Sequence, residues 1–352
     1  MRVLILSHAD VLRALTPEEC ASAMEDVLAA HARGETFMPL RSVMFPRDAA
    51  GLMGLMPAWR GPRQRAARPP TDQPPGDHAL PEPPPPDKPV FALKAICLIR
   101  DNPARGLDAH QGIVTLFDGE TGVPTAILDA SAVTEVRTAA VTAVATRLLS
   151  REDSRALAIL GAGVQARSHL EALLKVRPFD HVRVYAPTEE HARAVVEQGP
   201  QTGAELTVAP SAELAVRGAD VVVTATSSRE PVISREWLSI GAHVNAVGAS
   251  APSAREIDVE TVAAAALFAD SRESIRNEAG EFRLAVERGV IAGEEHVRAE
   301  LGEVLAGTKP GRQDDSELTM FRSLGLAVED LAAAQHAVAV ARSHGIGTEV
   351  EL

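Results

Sequence analysis

The sequence predicts an α/β protein in which a doubly wound parallel sheet is joined to a mainly antiparallel α+β domain. Three observations carry that expectation. From Arg155 onward, short apolar runs alternate with amphipathic stretches. A glycine-patterned turn, ILGAG, lies between the first of these runs and the helix that follows. Before residue 130 the apolar runs are separated mostly by turn formers rather than by helices. With 352 residues, 45% hydrophobic and 24% charged, the chain is long enough for two domains with separate cores.

The elements follow in order. Thr16 and Glu19 make a capping box for an amphipathic helix from Pro17 to about Arg33, and Gly34 stands just past its end. RSVMFP and GLMGLMPAW read as strands. Residues 60–89 then hold 11 of the chain's 24 prolines, which suits a flexible insertion between strands better than a PxxP ligand for a partner domain. FALKAICLI, GIVTLFD and PTAILDA are the next strands, with FDGETGVP as a hairpin turn. A long helix from about Val133 to Ser150 leads into the alternating region. There ALAILGAG, HVRVYAP, ADVVVTAT, AHVNAVGA and AALFAD are strands, and VQARSHLEALLKV and TEEHARAVVEQ are helices. Beyond about residue 310, MFRSLGLAVEDLAAAQHAVAVAR reads as one closing helix. The expected domains are therefore 1–130, 131–310, and a C-terminal segment 311–352 that returns to the first.

Composition excludes several classes of function. A net charge of −13 without a basic patch disfavours nucleic acid and anionic membrane surfaces as partners. No run approaches the roughly 18 apolar residues of a membrane span, and the N-terminal MRVLILSHAD is too short in its apolar part for a signal peptide. Only Cys20 and Cys97 are present, and the histidines lack HxxxH or HExxH spacing, so neither a disulfide framework nor a metal site is expected. The expected location is cytoplasmic.

ILGAGVQARSHL places Gly161, Gly163 and Ala166 in the G-x-G-x-x-G/A pattern, after a strand and opening a helix, which is the Rossmann dinucleotide fingerprint. Gly161 permits the tight turn, Gly163 lets the backbone approach a pyrophosphate, and Ala166 keeps helix and strand close. Ala162, Val164 and Gln165 complete the turn. At the end of the second strand Ala186, Pro187 and Thr188 stand where a carboxylate would select NAD by bonding the ribose. Thr188 and Arg193 could instead contact a 2′-phosphate, or simply be the cap and outer face of the next helix. NADP(H) is the preferred cofactor on this reading, with NAD(H) possible. Thr224 and Thr226 after the third of these strands, and Val247 and Gly248 after the fourth, complete the expected cofactor contacts.

Three cations lie on core-forming elements: Arg41 in PLRSVMF, Lys94 in FALKAI and Arg137 in SAVTEVRTAA. Arg137, read into the first turn of its helix, faces an unfavourable dipole unless it shares an anion there or pairs with Glu135. Together the three fit a pocket for a small carboxylate. Ser250, in NAVGASAPSAREID, is a hydroxyl where an acid or base of amine chemistry could stand, and Glu256 and Asp258 are read as serving the next helix start.

These stretches resemble the ornithine cyclodeaminase/mu-crystallin family. The resemblance rests on AHQGIVTLFDGETGVPTAILDASAVTEVRTAAVTAVAT, LAILGAGVQARSHLEA, GAHVNAVGASAPSAREID and AELGEVLAGTKP…TMFRSLGLAVEDLAAA, and covers about residues 90–340. It implies a substrate and dimerisation domain beside the Rossmann domain, a homodimer, and Arg41, Lys94 and Arg137 as carboxylate-binding cations. In cyclodeaminases an aspartate stands at the position of Ser250. Its absence here implies the mu-crystallin-like ketimine reductase branch. Pro187 departs from that branch, which tends to have arginine beside the threonine.

The expected function is NAD(P)H-dependent reduction of a small cyclic imine carboxylate, such as Δ1-pyrroline-2-carboxylate or Δ1-piperideine-2-carboxylate, to the cyclic L-amino acid. A protonated imine is already electrophilic, so orientation and hydride matter more than a strong acid. Ser250 would orient the ring nitrogen and Lys94 could exchange a proton. The alternatives are ornithine cyclodeamination with NAD+, an alanine-type amino-acid dehydrogenase, and a cofactor-binding protein without turnover.

Overall fold

The computed structural model describes residues 1–62, 88–99, 101–200 and 203–352. The proline-rich insertion expected at 60–89 lies, over 63–87, outside the described residues. The chain forms two compact units, Met1–Thr134 with Ala327–Leu352, and Glu135–Leu326. Residues 311–326, expected in the C-terminal segment, are thus part of the second unit.

The first unit is built on an eight-stranded sheet in the order Thr348–Glu351, Arg2–Leu6, Pro124–Asp129, His110–Asp118, Val90–Ile99, Gly51–Arg60 and Thr36–Phe37, with Ser42–Met44 also paired to Gly51–Arg60. All pairings are antiparallel except that of Arg2–Leu6 with Pro124–Asp129. Gly51–Arg60 and Val90–Ile99 pair in register from Gly51↔Ile99 to Arg60↔Val90, so residues 61–89 connect two neighbouring strands. The FDGETGVP hairpin forms because the Asp118 carboxylate accepts the N–H groups of Glu120 and Thr121, while Gly122 takes φ +73°. Side chains alternate across this sheet. Met56, Ala58, Ala92, Lys94, Val114 and Leu116 are buried on one face, against which the helix Ala327–His344 packs. That helix also packs against Pro17–Ala32, whose Thr16–Glu19 box and Gly34 stop form as expected.

The second unit holds eight parallel strands in the order Glu205–Val208, His181–Tyr185, Ala156–Leu160, Val221–Thr224, His243–Ala246, Thr319–Arg322, Ala266–Ala269 and Val297–Glu300. Both faces are covered. Ala158, Leu160, Val222, Val244 and Ala246 enter one apolar core, and Leu157, Ile159, Val221 and Val223 enter the other. Strand order reverses between Ala156–Leu160 and Val221–Thr224, which makes their carboxyl ends the switch point where ligands bind in such sheets.

Two expectations are corrected. The closing helix does not begin at Met320, because Thr319–Arg322 is a buried strand between His243–Ala246 and Ala266–Ala269. Gly325, at φ +80°, breaks the chain before the helix Ala327–His344. A strand buried on both faces has no period of two to separate it from a buried helix. The helix expected from Val133 begins at Ala130, because Asp129 Oδ1 accepts the Ala132 N–H at 2.8 Å. Arg137 therefore stands about two turns inside the helix, where the argument from the first-turn dipole does not apply.

Candidate active site

The strand Ala156–Leu160 runs straight into the glycine turn. Gly161 has φ +124°, and a β-carbon there would lie 2.3 Å from the Ala225 carbonyl oxygen, so no other residue fits. Its N–H is held by the Tyr185 carbonyl at 2.9 Å. Gly163 is the N-cap of the helix Val164–Leu173 and has no side chain to cap it, and a β-carbon at that position would meet nothing within 4 Å. No side chain caps this helix start, the arrangement in which helix N-termini receive anions. Ala162 and Gln165 are partly buried, Val164 is exposed, and Ala166 is fully buried in the core that joins helix to sheet. These residues fit a dinucleotide pyrophosphate.

At the end of His181–Tyr185, Ala186 is buried and Pro187 exposed. Thr188 is the N-cap of Glu189–Gln198 and makes no capping bond with its side chain. Arg193 bonds Glu189 at 2.5 Å, and both are largely exposed. The structure thus shows the helix-face arrangement for Arg193, with its guanidinium engaged one turn back.

The loops after Val221–Thr224 and His243–Ala246 meet beside this cradle. The Thr224 hydroxyl is buried without a hydrogen-bond partner, while its carbonyl accepts the N–H groups of Val247 and Gly248. A β-carbon on Gly248 would lie 2.3 Å from Thr226 N, so the loops touch backbone to backbone. Sequence reasoning misassigned what holds them. Asp258 does cap the helix Val259–Ala264, through Thr261 N. Glu256, 1% exposed, does not serve that helix; its carboxylate accepts the N–H groups of Thr226 at 2.6 Å, Gly248 at 2.7 Å and Ala249 at 3.1 Å. Its signal in the sequence was weak, an acid two residues before the helix-capping Asp258. Below the same loop Arg322, also buried, donates to the carbonyls of Ala246 and Ala249 and pairs with Glu281. Burial pushes the Glu281 carboxyl above its ordinary range, against the pull of Arg322. Ser250, by contrast, is exposed.

The cations fall in both units. In the first, Lys94 is 2% exposed and donates to Asp330 Oδ1 at 3.0 Å. Asp330 was not singled out from the sequence, although the pair Glu329–Asp330 inside an apolar helix was a visible signal. Met56 lies opposite Lys94, and Leu55 opposite Ser42. The half-buried Arg41, one residue before Ser42, therefore sits next to the Met56–Lys94 row. In the second unit Arg137 is buried, with its guanidinium 2.6 Å from where a β-carbon on Gly325 would be. Asp270 fixes that turn by accepting the N–H groups of Leu324 and Gly325. Among the described residues, no group of three or more His, Cys, Asp or Glu side chains could hold a metal ion, and no helix is long and apolar enough to cross a membrane.

A glycine cradle at the switch point of a parallel sheet, with a second α+β unit, fits a dinucleotide, and with the relatives named next it marks an NAD(P)-dependent oxidoreductase. The model of the ornithine cyclodeaminase/mu-crystallin family matches residues 84–344, and the chain belongs to that family. A Δ1-pyrroline-2-carboxylate reductase of Thermococcus litoralis, solved with NADH and L-proline, superposes with a TM-score of 0.88 at 34% identity over 99% of this chain and 100% of that one. An archaeal alanine dehydrogenase dimer with bound NAD superposes with a TM-score of 0.87 at 33% identity, covering 100% of both chains. The ketimine reductase mu-crystallin of Mus musculus is 36% identical over 304 residues, 86% of this chain and 84% of the mouse protein.

Proposed function

We propose that the protein reduces a small cyclic imine carboxylate, with Δ1-pyrroline-2-carboxylate or Δ1-piperideine-2-carboxylate as the substrates of choice, to the corresponding cyclic L-amino acid. One observation carries this reading. The loop after His243–Ala246 presents the exposed hydroxyls of Ser250 and Ser253 but no unengaged carboxylate, since Glu256 and Asp258 are committed to backbone N–H groups. Cyclodeamination requires an acid or base for a second amine, whereas a protonated imine does not. The named activities of the Thermococcus and mouse relatives support the same choice.

When bound, the nicotinamide supplies hydride to the imine carbon. The chain's own residues bind and orient. Arg41, Lys94 and Arg137 hold the substrate carboxylate, a role suited to Lys94 and Arg137 in particular, which stand on a strand and a helix. Asp330 fixes the Lys94 ammonium for that task. Ser250 orients the ring nitrogen, and Lys94 is the group available to exchange a proton. NADP(H) is preferred over NAD(H), because no carboxylate stands at Ala186–Thr188 and the Glu189 side chain is turned onto Arg193. The protein acts as a homodimer. The sheet face opposite Lys94 leaves Phe91 46% and Ile113 45% exposed, and light scattering should return twice the chain mass.

The archaeal dehydrogenase, matched over its whole length, supports a second reading as an alanine-type dehydrogenase. One assay separates the readings. Purified protein should oxidise NADPH in the presence of the cyclic imines and release no ammonia from ornithine with NAD+. Turnover of pyruvate and ammonia without turnover of any imine would favour the second reading, and proline formed from ornithine would overturn the first.

A further inference from the structure

A buried polar cluster of the second unit lies under the two loops that follow Val221–Thr224 and His243–Ala246. Glu256 and Arg322 are each 1% exposed and hold complementary backbone groups there. The carboxylate takes three N–H groups, those of Thr226, Gly248 and Ala249. The guanidinium takes two carbonyls of the same loop, those of Ala246 and Ala249, besides that of Ser323. Glu281 balances the guanidinium from the far side. The three N–H groups that Glu256 takes belong to no strand ladder or helix cap. Their combined effect is to tie one loop to the other and fix the backbone of Val247–Ala249.

We propose that Glu256, backed by Arg322, is a positioning residue for the cofactor: it preforms the wall made by residues 224–226 and 247–249 before the dinucleotide binds. A preformed wall lowers the ordering cost of binding, as preorganised sites do generally. The same bonds carry a second consequence for recognition. Three N–H groups that could have solvated a phosphate are already occupied by a carboxylate, so this end of the cleft disfavours anions. Phosphate binding is left to the helix start at Gly163, which no side chain caps. The proposal rests on the reading that these loops border the dinucleotide.

Glu256→Gln tests it, because the amide keeps the size but can accept through only one atom. Amide hydrogen exchange in the cofactor-free wild type should show Thr226, Gly248 and Ala249 protected like the strand amides of Val221–Thr224. In the variant, exchange should accelerate at those three positions while the strands stay protected, and the Kd for NADPH should rise about tenfold or more. Asp258→Ala is the control, since it removes the neighbouring helix cap and should lower Tm without changing that Kd. Three results would overturn the proposal. One is fast exchange of the three amides in the wild type, which can be read even if the variant does not fold. Another is an unchanged Kd in a folded Glu256→Gln protein. The third is an equal loss of affinity in Asp258→Ala. Failure of wild-type protein to bind either NADPH or NADH would instead sink the cofactor reading, and failure to turn over any imine would sink only the substrate reading.

Discussion

Lys94 carries a full charge into the interior of its sheet, and the carboxylate of Asp330 at 3.0 Å makes that tolerable. Removing one member of such a pair leaves the other charged and buried. Asp330→Asn should cost about 3–5 kcal/mol of unfolding free energy and raise KM for the imine. The double variant Lys94→Met/Asp330→Leu separates stability from function. Well-packed apolar replacements of a buried pair are often neutral or better, so urea unfolding should recover much of the loss while turnover, with the ammonium gone, is lost. Recovered stability together with recovered turnover would remove Lys94 from the substrate site. The sequence made Lys94 visible because a lysine amid apolar strand residues is unusual. It left Asp330 unremarked and assigned Glu256 to the next helix start, since what a buried acid faces depends on contacts distant in sequence.

Among elements, the glycine turn is the one whose local sequence most fully dictates its form. Strand, turn and helix start are contiguous, so Gly161, Gly163 and Ala166 could be assigned without tertiary information. Gly161→Ala places a methyl against the Ala225 carbonyl and forces a left-handed backbone on alanine. Loss of NADPH binding by fluorescence titration, with far-UV dichroism little changed, is the expected outcome. Elements that depend on partners were harder to read. Thr319–Arg322 is a strand because it fills a gap between His243–Ala246 and Ala266–Ala269, strands more than forty residues earlier in the chain. Its own pattern, TMFR followed by SLG, runs without visible change into a true helix. Likewise Asp129 was read as the end of a strand, yet its carboxylate starts the next helix and moves Arg137 inward.

At the scale of the whole molecule, two histidines set an acid limit. Burial lowers the pKa of His169 from 6.5 to about 4, with the nearby Arg137 charge adding to the effect, and lowers that of His243 from 6.5 to about 3, with Arg312 adding. Both are neutral in the folded protein where the unfolded chain would protonate them. The stability this gives is complete above pH 6.5 and is lost as pH falls toward the folded values, by roughly 1.4 kcal/mol per pH unit for each group. Replacing His169 with Gln should flatten the dependence of unfolding free energy on pH between about 4 and 6.5 by one proton's worth. An unaltered slope in urea titrations across that window would show that His169 is not buried in its neutral form.

The first unit is made from two separated stretches of chain, Met1–Thr134 and Ala327–Leu352, whereas the second is continuous. A ribosome delivers residues in one direction only, and domains generally fold as units once their parts are available. The continuous unit can therefore complete itself first. The sheet made earliest must wait, with the row from Met56 through Lys94 to Val114 uncovered, until the helix carrying Asp330 emerges. The first domain to be synthesised is thus the last to be finished, and the interval between the two is when a nascent chain of this protein most needs a chaperone.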